Sequence, residues 1–202
     1  MELNRFSSAL NQRPVVRSEL GLTDSTLVFG HVGRFVEQKN HQYLLEIFAR
    51  IHALFQNSVL LLVGEGVLRS KMEQKARDLG IENSVYFLGL RQDIPYILAA
   101  MDCFVFPSLH EGLPVTMIEA QAAGLPILAS STITQEVCVT PLVQLMDLET
   151  PAEEWAKAAL SMALAGRNQR SCPIRELTDA GYDIRYTAKK LEEFYLGLYS
   201  AL

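Results

Sequence analysis

The spacing of apolar residues changes period repeatedly along the chain. TLVFGHVG, Thr26 to Gly33, is a short β-rich run that ends in a glycine-bearing turn. Leu44, Ile47, Phe48, Ile51, Leu54 and Phe55 then recur at helical spacing on one face, with Asn40 placed to cap the start. SVLLLVGEG is continuously apolar before its glycines, as a strand covered on both faces must be. A polar helix over Leu68 to Leu79 closes on Gly80, and SVYFLG reads as the next strand. A short helix near Ile94 to Ala100 precedes the strand CFVFPS, after which Pro114 suits the first position of another helix. LPILAS and LVQLMDL read as two further strands. One helix over Ala152 to Ala165 and a polar loop over Gly166 to Pro173 follow. The chain finishes in a helix whose Ile184, Leu191, Phe194, Tyr195 and Leu198 form a stripe.

Strands alternating with helices predict an α/β fold: a single doubly wound, Rossmann-like domain over residues 1–202 with a mostly parallel sheet. Composition agrees, since 49% of the 202 residues are hydrophobic, enough for a sizeable core. The net charge of −5 and the absence of any Lys/Arg run longer than two argue against a nucleic-acid partner, so electrostatics must act locally. Cys103, Cys138 and Cys172 are odd in number and widely separated, which suits reduced structural thiols better than a disulfide framework or a metal cluster. No stretch approaches the roughly 20 apolar residues of a membrane span. A cytoplasmic location is expected, with peripheral attachment to the inner face of a membrane left open.

A doubly wound sheet binds ligands beyond the carboxyl ends of its strands, which singles out three clusters. In GHVGRFVEQKNH, Gly30 and Gly33 allow close backbone approach, and Arg34 and Lys39 flank a helix start. A guanidinium fork, a point charge and a helix dipole together suit a diphosphate; two solvated surface cations are the plain alternative. Neither a Walker A spacing nor G-x-G-x-x-G is present. His31 and His41 read as packing residues. In HEGLPVTMIEAQAAG, the amides of Gly112 and Leu113 can face an anion, while Glu111 and Glu119 stand on the order of 10 Å apart along a helix at about 1.5 Å per residue. That is roughly the span between the two sugars of a nucleotide diphosphosugar, and a carboxylate accepts two vicinal hydroxyls at once. A structural salt bridge for Glu119 and a turn role for Glu111 remain the alternative, and a glycosidase acid/base pair is a weaker competitor. In FLGLRQD, the turn at Leu90 and Arg91 could read a base edge.

Taken in order, VGRFVEQKN, LLLVGEG, VYFLGLRQDI, DCFVFPSLHEGLPVTMIEAQAAGLPILAS and YTAKKLEEFYLGLY resemble the C-terminal, donor-binding domain of family-4 glycosyltransferases of the two-domain GT-B fold. The most specific elements are E-x7-E, Glu111 and Glu119, and G-R-x4-K, Gly33, Arg34 and Lys39. The resemblance implies that Arg34 and Lys39 hold the donor diphosphate, Glu111 contacts hydroxyls of the transferred sugar, Glu119 binds the ribose, and Leu90 and Arg91 lie near the base. It also implies a retaining transferase that takes a nucleotide diphosphosugar as substrate, expected to be UDP-linked, with no cofactor and no bound metal. NHQYLLEIFARI and the tract from Ser130 to Leu160 look most like bacterial exopolysaccharide or capsule enzymes, which implies a lipid-linked or glycan acceptor. STITQEV, with Glu136, stands where many relatives carry a glycine-rich segment. On this resemblance the N-terminal acceptor domain is missing from the chain, and the isolated chain is expected to bind a nucleotide sugar weakly and transfer it poorly. The other class left open is a stand-alone nucleotide- or sugar-phosphate-binding module without catalysis; a related sugar-phosphate enzyme, such as a phosphorylase or epimerase, is a third reading.

Overall fold

A computed structural model describes residues 1–167 and 170–199, the side chains of 198 and 199 excepted. Its centre is a six-stranded sheet in the order β3-β2-β1-β4-β5-β6, every pairing parallel. The strands are β1 (Leu27–Val32), β2 (Ser58–Val63), β3 (Val85–Gly89), β4 (Cys103–Phe106), β5 (Ile127–Ser130) and β6 (Val143–Met146). β1, β2, β4 and β5 are buried throughout, whereas the edge strands β3 and β6 are only partly buried. Helices cover both faces, which is why the inner strands read as unbroken apolar runs.

Successive strand residues divide between two cores. Val28, Val32, Leu61, Val63, Phe104 and Phe106 pack on the side of α1 (Asn4–Leu10), α5 (Ile94–Ala100) and α6 (Val115–Ala122). Leu27, Phe29, Leu60, Leu62, Cys103 and Val105 pack on the side of α3 (His41–Leu54), α4 (Arg69–Asp78) and α7 (Ala152–Gly166). Leu44, Ile47, Phe48 and Ile51 make up the buried face of α3, as their spacing requires; Leu54, at its end, is exposed. The cysteines are free, and Cys103 is fully buried.

Three sequence expectations need correction. Asn40 stands at the start of α3 in a left-handed conformation, φ 50° and ψ 44°, and its side chain makes no capping bond. Its backbone links the two elements, the amide donating to Glu37 O at 2.9 Å to close the preceding turn and the carbonyl accepting from Leu44 N at 3.1 Å to open the helix, so only the side-chain cap is missing. Gly30 serves packing, because a Cβ there would lie 2.2 Å from Met101 Sδ, far inside van der Waals contact. Pro114 precedes the helix, extended at φ −73° and ψ 97°, and α6 begins at Val115.

Three short helices escape the periodicity argument: α1, α2 (Arg13–Glu19) and α8 (Ile174–Asp179), of six or seven residues each, too short to display a period. The final helix, α9 (Ile184–Tyr199), carries its stripe outward, with Ile184, Leu191, Phe194 and Tyr195 all more than half exposed; the side chain of Leu198 lies outside the described residues. No helix among the described residues is long and apolar enough to cross a membrane.

Candidate functional site

Strand order reverses between β1 and β4, since the chain proceeds from β1 outward to β2 and β3, then returns to β4 on the other side. The loops that leave these two strands at their carboxyl ends therefore diverge and frame a crevice. The β1 loop carries Gly33, Arg34 and Lys39; the β4 loop carries Glu111, Gly112 and Leu113.

Side chains and backbone join the two loops. Lys39 Nζ donates to Glu111 Oε1 at 2.7 Å, both side chains largely buried at 15% and 9% exposure. Gln38 Nε2 donates to the carbonyl of His110 at 2.9 Å, and Gln38 O accepts from the amide of Leu109 at 2.8 Å. The Lys39 ammonium also lies 4.9 Å from the centroid of the Phe106 ring, a cation–π placement that holds it over the end of β4. Lys39 and Glu111, 72 residues apart in sequence, thus form one unit.

Beneath this unit is a buried aromatic layer. His31 stacks near Phe106 and Phe104 at centroid distances of 5.2 and 5.8 Å and meets His41 edge-on at 4.8 Å. His31 Nδ1 donates to the carbonyl of Val105 at 3.0 Å, which fixes the tautomer because a carbonyl can only accept. Burial first, then the neighbouring His41 charge, holds His31 well below the ordinary imidazole range. Burial and the Lys39 charge bring His41 down to about 4. Both rings are neutral at pH 7 and serve as packing, so Lys39 supplies the positive charge of this layer.

Gly33 is required by its neighbours, since a Cβ there would come within 2.8 Å of His31 Nε2 and 3.2 Å of the Lys39 side chain. Arg34 projects into solvent with neither hydrogen bond nor ion pair among the described residues. The β2 loop supports this turn: Gly33 N donates to Val63 O, Phe35 N to Glu65 O, and Gly64 N to Gly89 O. Gly64, at φ 140°, lies so close that a Cβ would stand 2.1 Å from the Gly33 oxygen.

The start of α6 faces the same crevice. No side chain caps it, and the amides of Gly112, Leu113, Val115 and Thr116 have no protein acceptor among the described residues, leaving donors and the positive end of the helix dipole available to an anion. Glu119 lies one turn further on, partly buried and without an ion pair among the described residues, so it is not the salt-bridge residue of the plain alternative. Burial raises its carboxyl above the usual range, with the terminal ammonium opposing. Glu111 is more than a turn residue, because it holds Lys39.

Leu90 is 79% exposed directly after β3, and Arg91 is tied to Asp93 by two bonds of 2.8 and 2.6 Å. Glu136 is exposed on a short 3-10 turn, Gln135–Val137. The structure therefore brings Lys39 and Glu111 into contact with each other, while Arg34 shares the β1 loop with Lys39 but makes no side-chain contact with the pair; nor does Glu119, Leu90 or Arg91.

Sequence reasoning missed several supports. Gln38 holds the β4 loop through its side chain and carbonyl, and Thr132 Oγ1 donates to Ser108 O at 3.1 Å from the β5 loop while bonding Ser130 Oγ at 2.6 Å. Only Gly64 carried a local signal, a glycine directly after a buried strand.

The family model described as glycosyl transferases group 1 matches residues 12–171. The putative glycosyltransferase EpsF of Bacillus subtilis (strain 168) is 38% identical over 176 residues, 87% of this chain and 46% of that protein. The UDP-Gal:alpha-D-GlcNAc-diphosphoundecaprenol alpha-1,3-galactosyltransferase of Escherichia coli is 31% identical over 207 residues, 98% of this chain and 52% of that protein. The chain thus spans about half the length of the curated relatives it matches. Among solved structures, Anabaena Alr3699/HepE in complex with UDP and glucose superposes with a TM-score of 0.69 at 22% identity, over 95% of this chain and 55% of that one. This likeness establishes the fold, which is that of one half of a GT-B glycosyltransferase.

Proposed function

Because this chain belongs to the group 1 glycosyl transferases, we propose that it is the donor-binding half of a retaining enzyme that moves a hexose from a UDP-linked donor to a hydroxyl acceptor in bacterial surface polysaccharide synthesis. Support for the polysaccharide setting comes from the named relatives, and support for UDP from the ligand of the Anabaena structure and the donor of the E. coli enzyme. The observation that carries the reading is the Lys39–Glu111 pair, which spans the crevice at the strand-order reversal.

In this assignment Arg34 and Lys39 bind the donor diphosphate together with the amides of Gly112 and Leu113. Glu111, oriented by Lys39, accepts hydroxyl protons of the transferred sugar, and Glu119 accepts those of the ribose. Leu90 packs on the base beside Arg91. In transfer, the bond from the anomeric carbon to the diphosphate oxygen breaks, a bond to the acceptor oxygen forms, and the acceptor hydroxyl gives up its proton to an oxygen of the departing diphosphate. Negative charge then develops on the departing diphosphate, where the guanidinium, the ammonium and the α6 dipole stabilise it more than in the ground state. These groups do that without a bound metal. The acceptor is held by a second domain outside this sequence, so the chain alone binds the donor and transfers poorly.

Thermal-shift titration with UDP, GDP and ADP, then with several UDP-sugars and with and without a chelator, tests the assignment. UDP is expected to give the largest shift among the nucleotides, insensitive to the chelator, and one UDP-sugar to exceed UDP. No shift with any nucleotide, or a product of inverted anomeric configuration from the full-length enzyme, would overturn it.

A further inference from the structure

Residues of α1, the start of α5 and the start of α9 flank an open groove of about 320 Å³ lined by Asn4, Arg5, Ser8, Pro95, Tyr96 and Arg185. The amide of Ile184 donates to the carbonyl of Met1 at 2.9 Å, which brings the first turn of α9 against the α1 end of the chain. None of the diphosphate, sugar or base candidates lines this groove.

Its charge is unusual for this molecule. The chain is acidic overall, at −5, and most of its guanidiniums are engaged with carboxylates, carbonyls or a side-chain amide. Among the described residues only Arg5, Arg34, Arg50 and Arg185 have guanidiniums with neither a hydrogen bond nor an ion pair. Two of these four line one groove, and no carboxylate lines it with them. The Tyr96 hydroxyl and the Asn4 side-chain amide are likewise without a partner there.

Arg5 and Arg185 come from separate helices to one groove, and the neighbouring Asp183 carboxylate accepts from the backbone amide of Arg185 at 3.0 Å instead of pairing with either guanidinium, which leaves both forks free to converge on a shared anion. One carboxylate satisfies a single guanidinium fork, whereas a phosphate offers three or four oxygens and can accept from two forks and a phenol at once. We propose that this groove is a second anion site, taking a phosphate group independently of the nucleotide-sugar site. The phosphate comes from a lipid headgroup or from a soluble phosphate ester; the recognition chemistry is the same.

The test is backbone amide NMR of the 202-residue chain in phosphate-free buffer, titrated with inorganic phosphate. Saturable shifts are expected at Arg5, Ser8, Tyr96 and Arg185; in Arg5→Gln/Arg185→Gln they weaken at least tenfold while the spectrum stays folded, and in Arg34→Ala they persist. Sedimentation with phosphatidylglycerol or phosphatidylcholine vesicles separates the sources. Loss of phosphatidylglycerol binding in the double variant identifies a headgroup, and unchanged sedimentation beside retained phosphate shifts identifies a soluble ester. Shifts confined to residues 33–40 and 111–119, or undiminished in the double variant, overturn the proposal. Failure of UDP to bind leaves this result unaffected, so the two readings fail separately.

Discussion

Lys39 Nζ and Glu111 Oε1 meet at 2.7 Å across the reversal of strand order, so a cation from the β1 loop and a carboxylate from the β4 loop hold each other. On the proposed assignment, a diphosphate reaching Lys39 shares that ammonium with Glu111, which would couple phosphate binding to the position of this carboxylate.

Lys39→Ala is therefore expected to weaken UDP binding by about 1.5–3 kcal/mol, the usual range for a hydrogen bond to a charged group. Glu111→Gln should leave UDP affinity nearly unchanged while abolishing the preference for a UDP-sugar over UDP. In the double variant, titration calorimetry with the UDP-sugar should show a non-additive term of about 0.5–3 kcal/mol. Strict additivity would mean that the ligand does not engage the pair as a unit.

Glu119 provides a pH test. Burial raises its folded-state pKa, so protonation favours the folded form: its contribution to stability is full below the unfolded pKa and falls as pH rises through the folded value. Glu119→Gln should raise the melting temperature by a few degrees at pH 7, and the gain should vanish below the ordinary glutamate pKa of about 4.3. The same variant should bind nucleoside diphosphate several-fold more weakly. A gain in stability that grows as pH falls would contradict the burial argument.

At the opposite end of β4, Asp102 accepts from the amide of Val28 at 2.8 Å, from Arg13 at 2.6 Å and from Arg17 at 3.3 Å, with Arg167 at 4.0 Å. Arg170 binds the carbonyls of Leu98 and Met101 at 2.7 Å, completing a cap of guanidiniums on the carboxyl end of α5. Asp102→Asn leaves these charges without their counter-ion and should cost about 3–5 kcal/mol in urea unfolding. Nucleotide affinity should not change, because the cluster lies at the amino end of the strand.

Gly64→Ala must push the Gly33 carbonyl aside, displacing the turn that presents Arg34. A stability loss of ~1–3 kcal/mol is expected together with weaker UDP binding. Gly80→Ala is the control: its φ of 69° is also left-handed, but nothing lies within 4 Å of the added carbon, so it should lose stability with binding unchanged. Equal effects on binding would remove the steric explanation.

The sequence by itself determined the layered architecture, because a strand buried on both faces needs an unbroken apolar run, as at Ser58 to Val63, and a helix covering it needs a stripe, as at Leu44, Ile47, Phe48 and Ile51. It also determined which loops carry chemistry, since glycine, arginine and glutamate gather directly after strands. Tertiary structure decided the rest. Whether Gly30 faced a ligand or Met101, and whether Lys39 was solvated or held by Glu111, depended on strand order, and strand order places residues 72 positions apart in contact without any local trace. The same holds for Asp102 and its arginines, gathered from both ends of the chain, where each residue alone reads as an ordinary charged surface position.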